Sequence, residues 1–296
     1  MDEELLLYDR LEIIRNVIAK YGEENFYLSF SGGKDSTVLH HLIDEALPGN
    51  VIPRVYCNTG IEYEMIVSFV KSMQLEDSRI VIIKPSKNIH AVLKESGYPF
   101  KSKEHSHVVA VYQHSGLGNT VDRYLNDNRG KFHCPNILRY QFENNFTLKV
   151  SEKCCKVLKK DQFESWQKDN KRPITITGMM AEEKGLRESI KGCIITDKTG
   201  NLKKFHPLLK VTREWEEWYI ETRKIRLCDL YKEPYCFKRT GCKGCPYSLD
   251  LQKQLCTMEL LLPKERAQCE LIWKPVYDEY RRLGYRLSKN EKRKLF

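Results

Sequence analysis

Phe26-Tyr-Leu-Ser-Phe-Ser-Gly-Gly-Lys-Asp-Ser-Thr-Val-Leu-His-His-Leu-Ile43 is the stretch that decides the fold. Its opening residues, Phe26 to Phe30, read as a strand. From Thr37 onward, Val38, Leu39, Leu42 and Ile43 recur at helical spacing. Ser31-Gly32-Gly33-Lys34-Asp35-Ser36 joins the two. A glycine pair between a strand and a helix lets backbone amides converge with no side chain in the way. The helix N-terminus adds partial positive charge, and Lys34 adds a full one. Such a turn is a cradle for phosphate. It lacks the spacer of the G-x-x-x-x-G-K-[ST] loop, so it holds phosphate in a shorter hairpin. A bare Gly-Gly would signal only a tight turn; the lysine, aspartate and flanking serines carry the reading further. Asp35 also suits the first turn of a helix on dipole grounds alone.

Outward from this unit the alternation of strand and helix continues. Strands are predicted at 51–57, 79–84 and 174–177, and helices at 35–46 and 61–74. Residues 194–196 and 202–205 bracket Asp197-Lys-Thr-Gly200 and read as a hairpin. The pattern predicts an α/β fold, a doubly wound, mostly parallel sheet built from right-handed β-α units. Residues 4–21 form an amphipathic helix that packs on the sheet or on a partner. Residues 88–114 are helical with a break at Gly97-Tyr98-Pro99, and 213–226 form a helix carrying Trp215, Trp218 and Tyr219. Residues 250–285 are helical with interruptions at Pro263 and Pro275. Residues 115–150, polar and glycine-rich, read as an insertion near the active site rather than core. Ligands of open α/β sheets bind beyond the carboxyl ends of the strands, which gathers the loops after residues 31, 58 and 177 around one crevice.

The chain has 296 residues, 41% hydrophobic and 30% charged, enough for one large α/β domain and a smaller appendage. No apolar run approaches the ~20 residues needed to span a bilayer. The acidic start, Met1-Asp-Glu-Glu, is unlike a signal peptide, so a cytoplasmic location without membrane contact is expected. In that reducing compartment the 11 cysteines are metal ligands, redox groups or small buried side chains rather than disulfides. Net charge is +10, with clusters at Lys153, Lys156, Lys159 and Lys160 and at Lys289, Lys292, Arg293 and Lys294. Such clusters favour polyanions through counterion release, though they also serve as solvated helix faces. Cys154 and Cys155 are adjacent, and Cys242-Lys-Gly-Cys245 lies between Gly241 and Pro246. Four thiolates from two separated segments can close around an iron–sulfur cluster or a zinc ion, or remain free thiols. Cys236 is near enough in sequence to substitute as a ligand. Cys134 and Cys193 fall in candidate active-site loops, and the remaining cysteines read as buried or incidental.

Ser31-Gly-Gly-Lys-Asp-Ser36 resembles the signature of the N-type ATP pyrophosphatases and of the phosphoadenosine phosphosulfate (PAPS) reductase family, which share the adenine nucleotide alpha hydrolase-like fold. Val55-Tyr-Cys-Asn-Thr-Gly60 followed by Glu62 resembles the D-T-G-x-E turn after the second strand. Asn58 stands where aspartate is usual, which argues against a metal ligand there. Thr175-Ile-Thr-Gly178, Ala181-Glu-Glu183 and Arg187-Glu-Ser189 resemble the G-x-R-x-x-E-S segment, and His206-Pro-Leu208 with Trp215 and Trp218 the closing PL…W region. The resemblance implies ATP, or an adenylyl sulfate-type nucleotide, held by Ser31, Gly32, Gly33, Lys34, Asp35, Ser36, Thr59, Gly60 and Gly178. It implies Lys34, Asp35 and Arg187 as catalytic residues, with Mg²⁺ bridging phosphate oxygens and Asp35 assisting. The Cys-Cys…Cys-x-x-Cys set is similar to that of the [4Fe–4S] adenylyl sulfate reductases, implying Cys154, Cys155, Cys242 and Cys245 as cluster ligands, with zinc the runner-up. The domains implied are an N-terminal helix, 1–24, a nucleotide-binding domain, 25–212, and a C-terminal helical region, 213–296, that supplies the CxxC half.

One departure shapes the functional expectation. Sulfonucleotide reductases carry a nucleophilic cysteine in a C-terminal E-C-G-[IL]-H segment, and here the last cysteine is Cys269, in Ala267-Gln-Cys-Glu270. Lys34 suits ATP, where charge accumulates on leaving pyrophosphate. The reading that follows is adenylylation of an acceptor and sulfur insertion, similar to the tRNA thiolases and the ATP pyrophosphatase of DNA phosphorothioation. Its partners would be a tRNA or DNA acceptor and a cysteine desulfurase or thioredoxin-like donor. Two alternatives stand beside it. One is a PAPS or adenylyl sulfate reductase using another cysteine, Cys269 or Cys134. The other is a non-catalytic nucleotide-binding subunit docked through residues 4–21.

Overall fold

Phe26, Leu28 and Phe30 point to alternate sides of a strand from Tyr27, yet nearly all are buried, so this strand is covered on both faces. It is the centre of a parallel sheet. In a computed structural model that describes residues 2–127, 132–183, 190 and 192–289, the elements in chain order begin α1 (Glu3–Tyr21), β1 (Phe26–Phe30), α2 (Lys34–Ala46), β2 (Arg54–Cys57), α3 (Glu64–Glu76) and β3 (Ile80–Ile83). They continue with α4 (Ile89–Ser96), α5 (Lys103–Ser115), α6 (Asn119–Asn126), α7 (Asp161–Asn170) and β4 (Ile174–Ile176). The last are β5 (Ile194–Thr196), β6 (Leu202–Phe205), α8 (Arg213–Thr222), α9 (Leu251–Leu261) and α10 (Pro263–Leu283).

The strands form one six-stranded sheet in the order β3-β2-β1-β4-β6-β5. All neighbours are parallel except β5 and β6, which form the hairpin expected around Asp197–Gly200. Ser29 lies opposite Val55, and Tyr27 opposite Thr175. Chain order reverses between β1 and β4, so the turn after β1 opens at the sheet's switch point. The loop that the sequence marks as a phosphate cradle therefore stands where such sheets bind ligands.

The chain divides into two compact units. The first comprises Met1–Asn58, Glu62–Lys84 and Gln162–Thr240, and holds the sheet. Leu6, Leu7, Leu11, Ile14, Val17 and Ile18 of α1 are buried within it, and α1 packs on α2. The Trp215 indole N–H donates to the Glu3 carbonyl at 2.8 Å and stacks on Tyr219, tying α8 to the start of α1. The apolar stripe of residues 4–21 is thus used inside the unit, and no docking role is needed to explain it. Arg54, fully buried at the head of β2, donates to His40 Nδ1 (3.1 Å), Asn50 Oδ1 (2.7 Å) and Asp44 Oδ1 (2.6 Å). A buried guanidinium requires such partners. Arg79 takes the second Asp44 oxygen (2.9 Å) and Asp77 (2.8 Å), so the His40, Asp44 and Asp77 cluster is a satisfied ion network.

The second unit comprises Thr59–Ile61, Pro85–Asp161 and Gly241–Phe296. Residues 115–150 correct the sequence reading. Val121, Tyr124, Leu138, Gln141 and Phe142 are buried and build this unit's core. Short helical turns, α6 and a 3-10 segment at Asn136–Phe142, each bury one face, and the polar remainder hides that pattern in a window average. His105 lies among them, with Nδ1 at 2.9 Å from the Tyr124 hydroxyl and Nε2 at 2.6 Å from Gln141 Oε1. Pro263 separates α9 from α10 by opening the latter, as its fixed φ allows. Pro275, expected to interrupt, sits within the continuous run of α10.

Candidate functional site

The phosphate loop is a closed ring of hydrogen bonds at the head of α2. The Ser31 N–H donates to Ser36 Oγ (3.2 Å), and the two serine hydroxyls meet at 2.9 Å. The Gly33 N–H donates to Ser31 Oγ (3.2 Å), while its carbonyl accepts from Ser36 Oγ and Thr37 Oγ1, each at 3.0 Å. The sequence folds this way because Ser36 and Thr37 are short hydroxyl residues that reach the N-cap carbonyl one turn back. The Lys34 N–H, at the helix N-terminus, donates to the Tyr231 hydroxyl at 3.1 Å, and Tyr231 is bonded in turn to Thr240 Oγ1. Burial pushes the Tyr231 phenol up to about 12, so it stays a neutral hydroxyl against this amide. Gly178, at the exit of β4, lies so close to α2 that a Cβ there would stand 2.8 Å from the Asp35 carbonyl oxygen and 3.0 Å from its carbon. Beside it the Thr177 hydroxyl meets His206 Nδ1 at 2.7 Å.

The charged groups of the loop are engaged by α8. Lys34 Nζ lies 3.2 Å from Glu216 Oε2 and 3.7 Å from Glu217 Oε1. Arg213 Nη1 donates at 2.7 Å both to Asp35 Oδ1 and to Glu216 Oε2. Glu216 is wholly buried, and among the described residues its Oε1 has no hydrogen-bond partner. Burial above all, and then the Asp35 charge, pushes its carboxyl up to about 7 against the opposing pull of Lys34 and Arg213. Lys34 and Arg213 also line a cavity of about 580 Å³ with Tyr231, Phe237, Lys238 and Arg239. Its size suits a nucleotide-scale ligand. Cys236 lies on its wall, in the first unit and not among the cysteines of the second.

The second unit brings the predicted cysteines together. Cys154 Sγ and Cys155 Sγ lie 4.0 Å apart, and Cys154 feels the charges of Cys155, Cys245 and Cys242. The hydrogen bond from Cys154 and then Lys103, Lys159 and Lys160 draw the Cys155 thiol down to about 6, while the same bond and burial push Cys154 up. Burial raises Cys245. The knuckle between Cys242 and Cys245 is clamped by α10. The Trp273 N–H donates to the Lys243 carbonyl (3.1 Å), the Tyr277 hydroxyl to the Gly244 carbonyl, and the Tyr280 hydroxyl to the Pro246 carbonyl (2.9 Å). Gly244 sits at φ 60°, and a Cβ there would stand 2.5 Å from the Tyr277 oxygen and 2.7 Å from Cys269 Sγ, so only glycine fits. The Lys243 N–H donates to the Ile61 carbonyl at 2.8 Å and the Cys245 N–H to the Cys242 carbonyl at 3.3 Å, while the Tyr247 N–H bonds to the Cys245 sulfur.

The donor set is four thiols with lysines alongside, which suits a metal group of net negative charge. Tetrahedral zinc, with Zn–S near 2.3 Å, needs its sulfurs about 3.8 Å apart. Among the described residues no three cysteine sulfurs lie within 4.8 Å of one another. Cys154 and Cys155, at 4.0 Å, stand near the spacing zinc needs, and four thiols suit either a zinc ion or an iron–sulfur cluster.

The profile of the phosphoadenosine phosphosulfate reductase domain matches residues 25–248, about three quarters of the chain. The chain belongs to that family. No curated protein matches it in sequence. Among solved structures, the PAPS reductase family chain resembles Candida glabrata FMN adenylyltransferase in complex with FAD and inorganic pyrophosphate (14% identity, TM-score 0.50), covering 81% of this chain and 62% of that one. It also matches the phosphate complex of the phosphoadenylyl-sulfate reductase from Candida auris (14% identity, TM-score 0.48, 79% and 87% covered). A third match is the U34-tRNA thiolase NcsA from Methanococcus maripaludis with its [4Fe–4S] cluster (14% identity, TM-score 0.40, 96% and 80% covered). At such identities the likeness is one of fold, and the fold is that of the adenine nucleotide alpha hydrolases.

Of the residues expected to bind nucleotide, Ser31 to Ser36 and Gly178 stand together in the first unit, while Thr59 and Gly60 belong to the second. Arg187 lies outside the described residues. The sequence reading did not single out Arg213, Glu216 or Tyr231. The first two open α8 three residues apart, a spacing that pairs side chains on any helix, and nothing in it names α2 as their target. No helix among the described residues is long and apolar enough to cross a membrane.

Proposed function

We propose that this PAPS reductase family chain is an ATP-dependent sulfur-transfer enzyme that activates its acceptor by adenylylation. The observation that carries the reading is the cradle at residues 31–36, set at the switch point of the sheet with Lys34 on the wall of a nucleotide-sized cavity. The polyphosphate of ATP would lie on the loop at the N-terminus of α2, where the Lys34 ammonium would meet it, and a bound Mg²⁺ would supply further positive charge to the leaving pyrophosphate. An acceptor oxygen attacks the α-phosphorus, the bond to the β-phosphate oxygen breaks, and pyrophosphate leaves with the electron pair. The adenylylated oxygen is then a good leaving group, and a sulfur nucleophile displaces it as AMP. Arg213 holds Asp35 and Glu216 in place at the loop's edge.

Cys154, Cys155, Cys242 and Cys245 would hold a [4Fe–4S] cluster, which when bound supplies one-electron chemistry. The lysines that draw Cys155 down, Lys103, Lys159 and Lys160, would favour a nucleic-acid acceptor, tRNA or DNA, through its phosphates. A cysteine desulfurase or thioredoxin-like protein would be the donor. Two observations weigh against the reductase alternative. Cys269 is fully buried and pushed up to about 12, and Cys134 is buried and pushed up to about 11, so neither is a ready thiolate.

The test is anaerobic incubation with labelled ATP and candidate acceptors, namely sulfate, tRNA and DNA. Pyrophosphate release that depends on a nucleic acid is expected. Sulfite release from PAPS or adenylyl sulfate with thioredoxin, at enzymatic rates and without pyrophosphate release, would overturn the reading.

A further inference from the structure

The side chain of Lys34, the one full positive charge in the phosphate loop, is in contact with a buried acid from α8. Its Nζ sits 3.2 Å from Glu216 Oε2. To meet a phosphate the ammonium must leave that contact, because one primary ammonium cannot fully neutralise both anions at once. We propose that Glu216 is a proton-accepting counterion to Lys34, so that nucleotide binding draws the lysine away and Glu216 takes up one proton from solvent. This inference rests on residues 31–36 being a nucleotide site.

The argument is one of local charge. From α2, Lys34 and Asp35 face Glu216. From α8 itself come Arg213, at 2.7 Å, and Glu217, which shares Lys34. From the turn at Ala181–Glu183, Glu182 accepts the Arg213 backbone N–H at 2.9 Å. With Lys34 in place, Glu216 has two cations against it. With Lys34 on a phosphate, Arg213 is the cation that remains against it among the described residues, and that group is shared with Asp35. The carboxyl is wholly buried, and among the described residues its Oε1 has no hydrogen-bond partner, so the loss of Lys34 is felt in a place of low polarity. An anion stripped of a partner in such a place is costlier than the neutral acid. Already placed near neutrality, Glu216 moves further up when the lysine departs.

The sign follows. Above about pH 7 the free protein carries Glu216 ionised and binding takes up a proton, so affinity falls as pH rises. At about pH 6 the group is already protonated and uptake disappears. The arrangement also gives Glu216 a discriminating role: it competes with weak anions for Lys34, and only a ligand of high charge density wins.

The experiment is calorimetric titration with Mg²⁺-saturated α,β-methylene-ATP, which cannot be split at the α–β bond, in buffers of different ionisation enthalpy. At about pH 8 the wild type should absorb close to one proton per ligand bound, shrinking toward none at about pH 6. Glu216→Gln should bind the same ligand with no Glu216-linked uptake and a flatter pH profile. Glu217→Gln, which alters the exposed partner of Lys34, should keep the uptake. Because the ligand is common to all three proteins, its own ionisation cancels in the comparison. Binding with equal proton uptake in wild type and Glu216→Gln overturns this inference and leaves the nucleotide site standing. If folded wild type shows no binding by heat or by equilibrium dialysis, the nucleotide reading itself falls. If Glu216→Gln does not fold, the wild-type buffer series alone decides: no uptake at about pH 8 refutes the proposal.

Discussion

Gly178→Ala places a methyl group where the structure leaves no room for one. The new Cβ would stand 2.8 Å from the Asp35 carbonyl oxygen, 3.0 Å from its carbonyl carbon and 3.3 Å from its Cβ. Two of these atoms are backbone in the first turn of α2, so no side chain can rotate away. Relief requires a retreat of roughly half an ångström by the exit of β4 or by the phosphate loop, the kind of overpacking that costs ~1–3 kcal/mol. In a domain of this size that corresponds to ~2–4 °C in Tm for each kcal/mol. The loop is the weaker side, because it ends in a ring of single hydrogen bonds, whereas β4 is held by two neighbouring strands. The expected outcome is therefore twofold: a urea midpoint lowered at unchanged m-value, and affinity for α,β-methylene-ATP reduced on the order of tenfold, ~1.4 kcal/mol. Gly192→Ala is the control, since among the described residues a Cβ there would meet only the Ile194 carbonyl oxygen, at 4.0 Å. Gly178→Ala with stability within ~0.5 kcal/mol of wild type and undiminished affinity would refute the close approach and its role in shaping the cradle.

Further outcomes test other parts of the molecule. Anaerobically purified protein should absorb near ~400 nm; Cys154→Ser should abolish that band and Cys228→Ser, a buried cysteine outside the set, should not. Tyr231→Phe removes the hydroxyl that accepts from the Lys34 N–H and should lower stability by ~1 kcal/mol in urea titrations, with no change in m-value. His105, held to about 4 by burial, must stay neutral in the folded state. An unfolded histidine near pH 6.5 binds a proton first, so this residue's contribution is complete above about pH 6.5 and is lost as pH falls toward about 4. A urea midpoint that stays flat from about pH 7 to about pH 4.5 would contradict it. Gly244→Ala should disrupt the knuckle against Tyr277 and Cys269, leaving a folded first unit and no band near ~400 nm.

The sheet was legible because its signals are local. Phe26–Phe30, the Gly32-Gly33 turn and the apolar spacing of Val38, Leu39, Leu42 and Ile43 lie within one β-α unit, and the Asp197–Gly200 hairpin within another. What stayed hidden depends on partners distant in sequence. Lys34 and Asp35 find Glu216 and Arg213 on α8, and the Lys34 amide finds Tyr231. Glutamates on an exposed-looking helix carry no mark that one of them is wholly buried. The core of the second unit was missed for the same reason. Its apolar positions are spread over the short helical segments Asn119–Asn126 and Asn136–Phe142 and over α9 and α10, and only their assembly makes a hydrophobic interior. The cysteine pairs were legible by spacing, whereas Trp273, Tyr277 and Tyr280 read as ordinary helix core until their polar atoms were traced to the knuckle carbonyls.

The clamp from α10 has a temporal consequence. On the ribosome, Cys242 and Cys245 leave the exit tunnel before Trp273, Tyr277 and Tyr280 do. Until α10 has folded, the carbonyls of Lys243, Gly244 and Pro246 lack its three donors, and the loop lacks the clamp that fixes its shape. Under the proposed function, a metal group would reach these cysteines in their clamped shape only once α10 has docked.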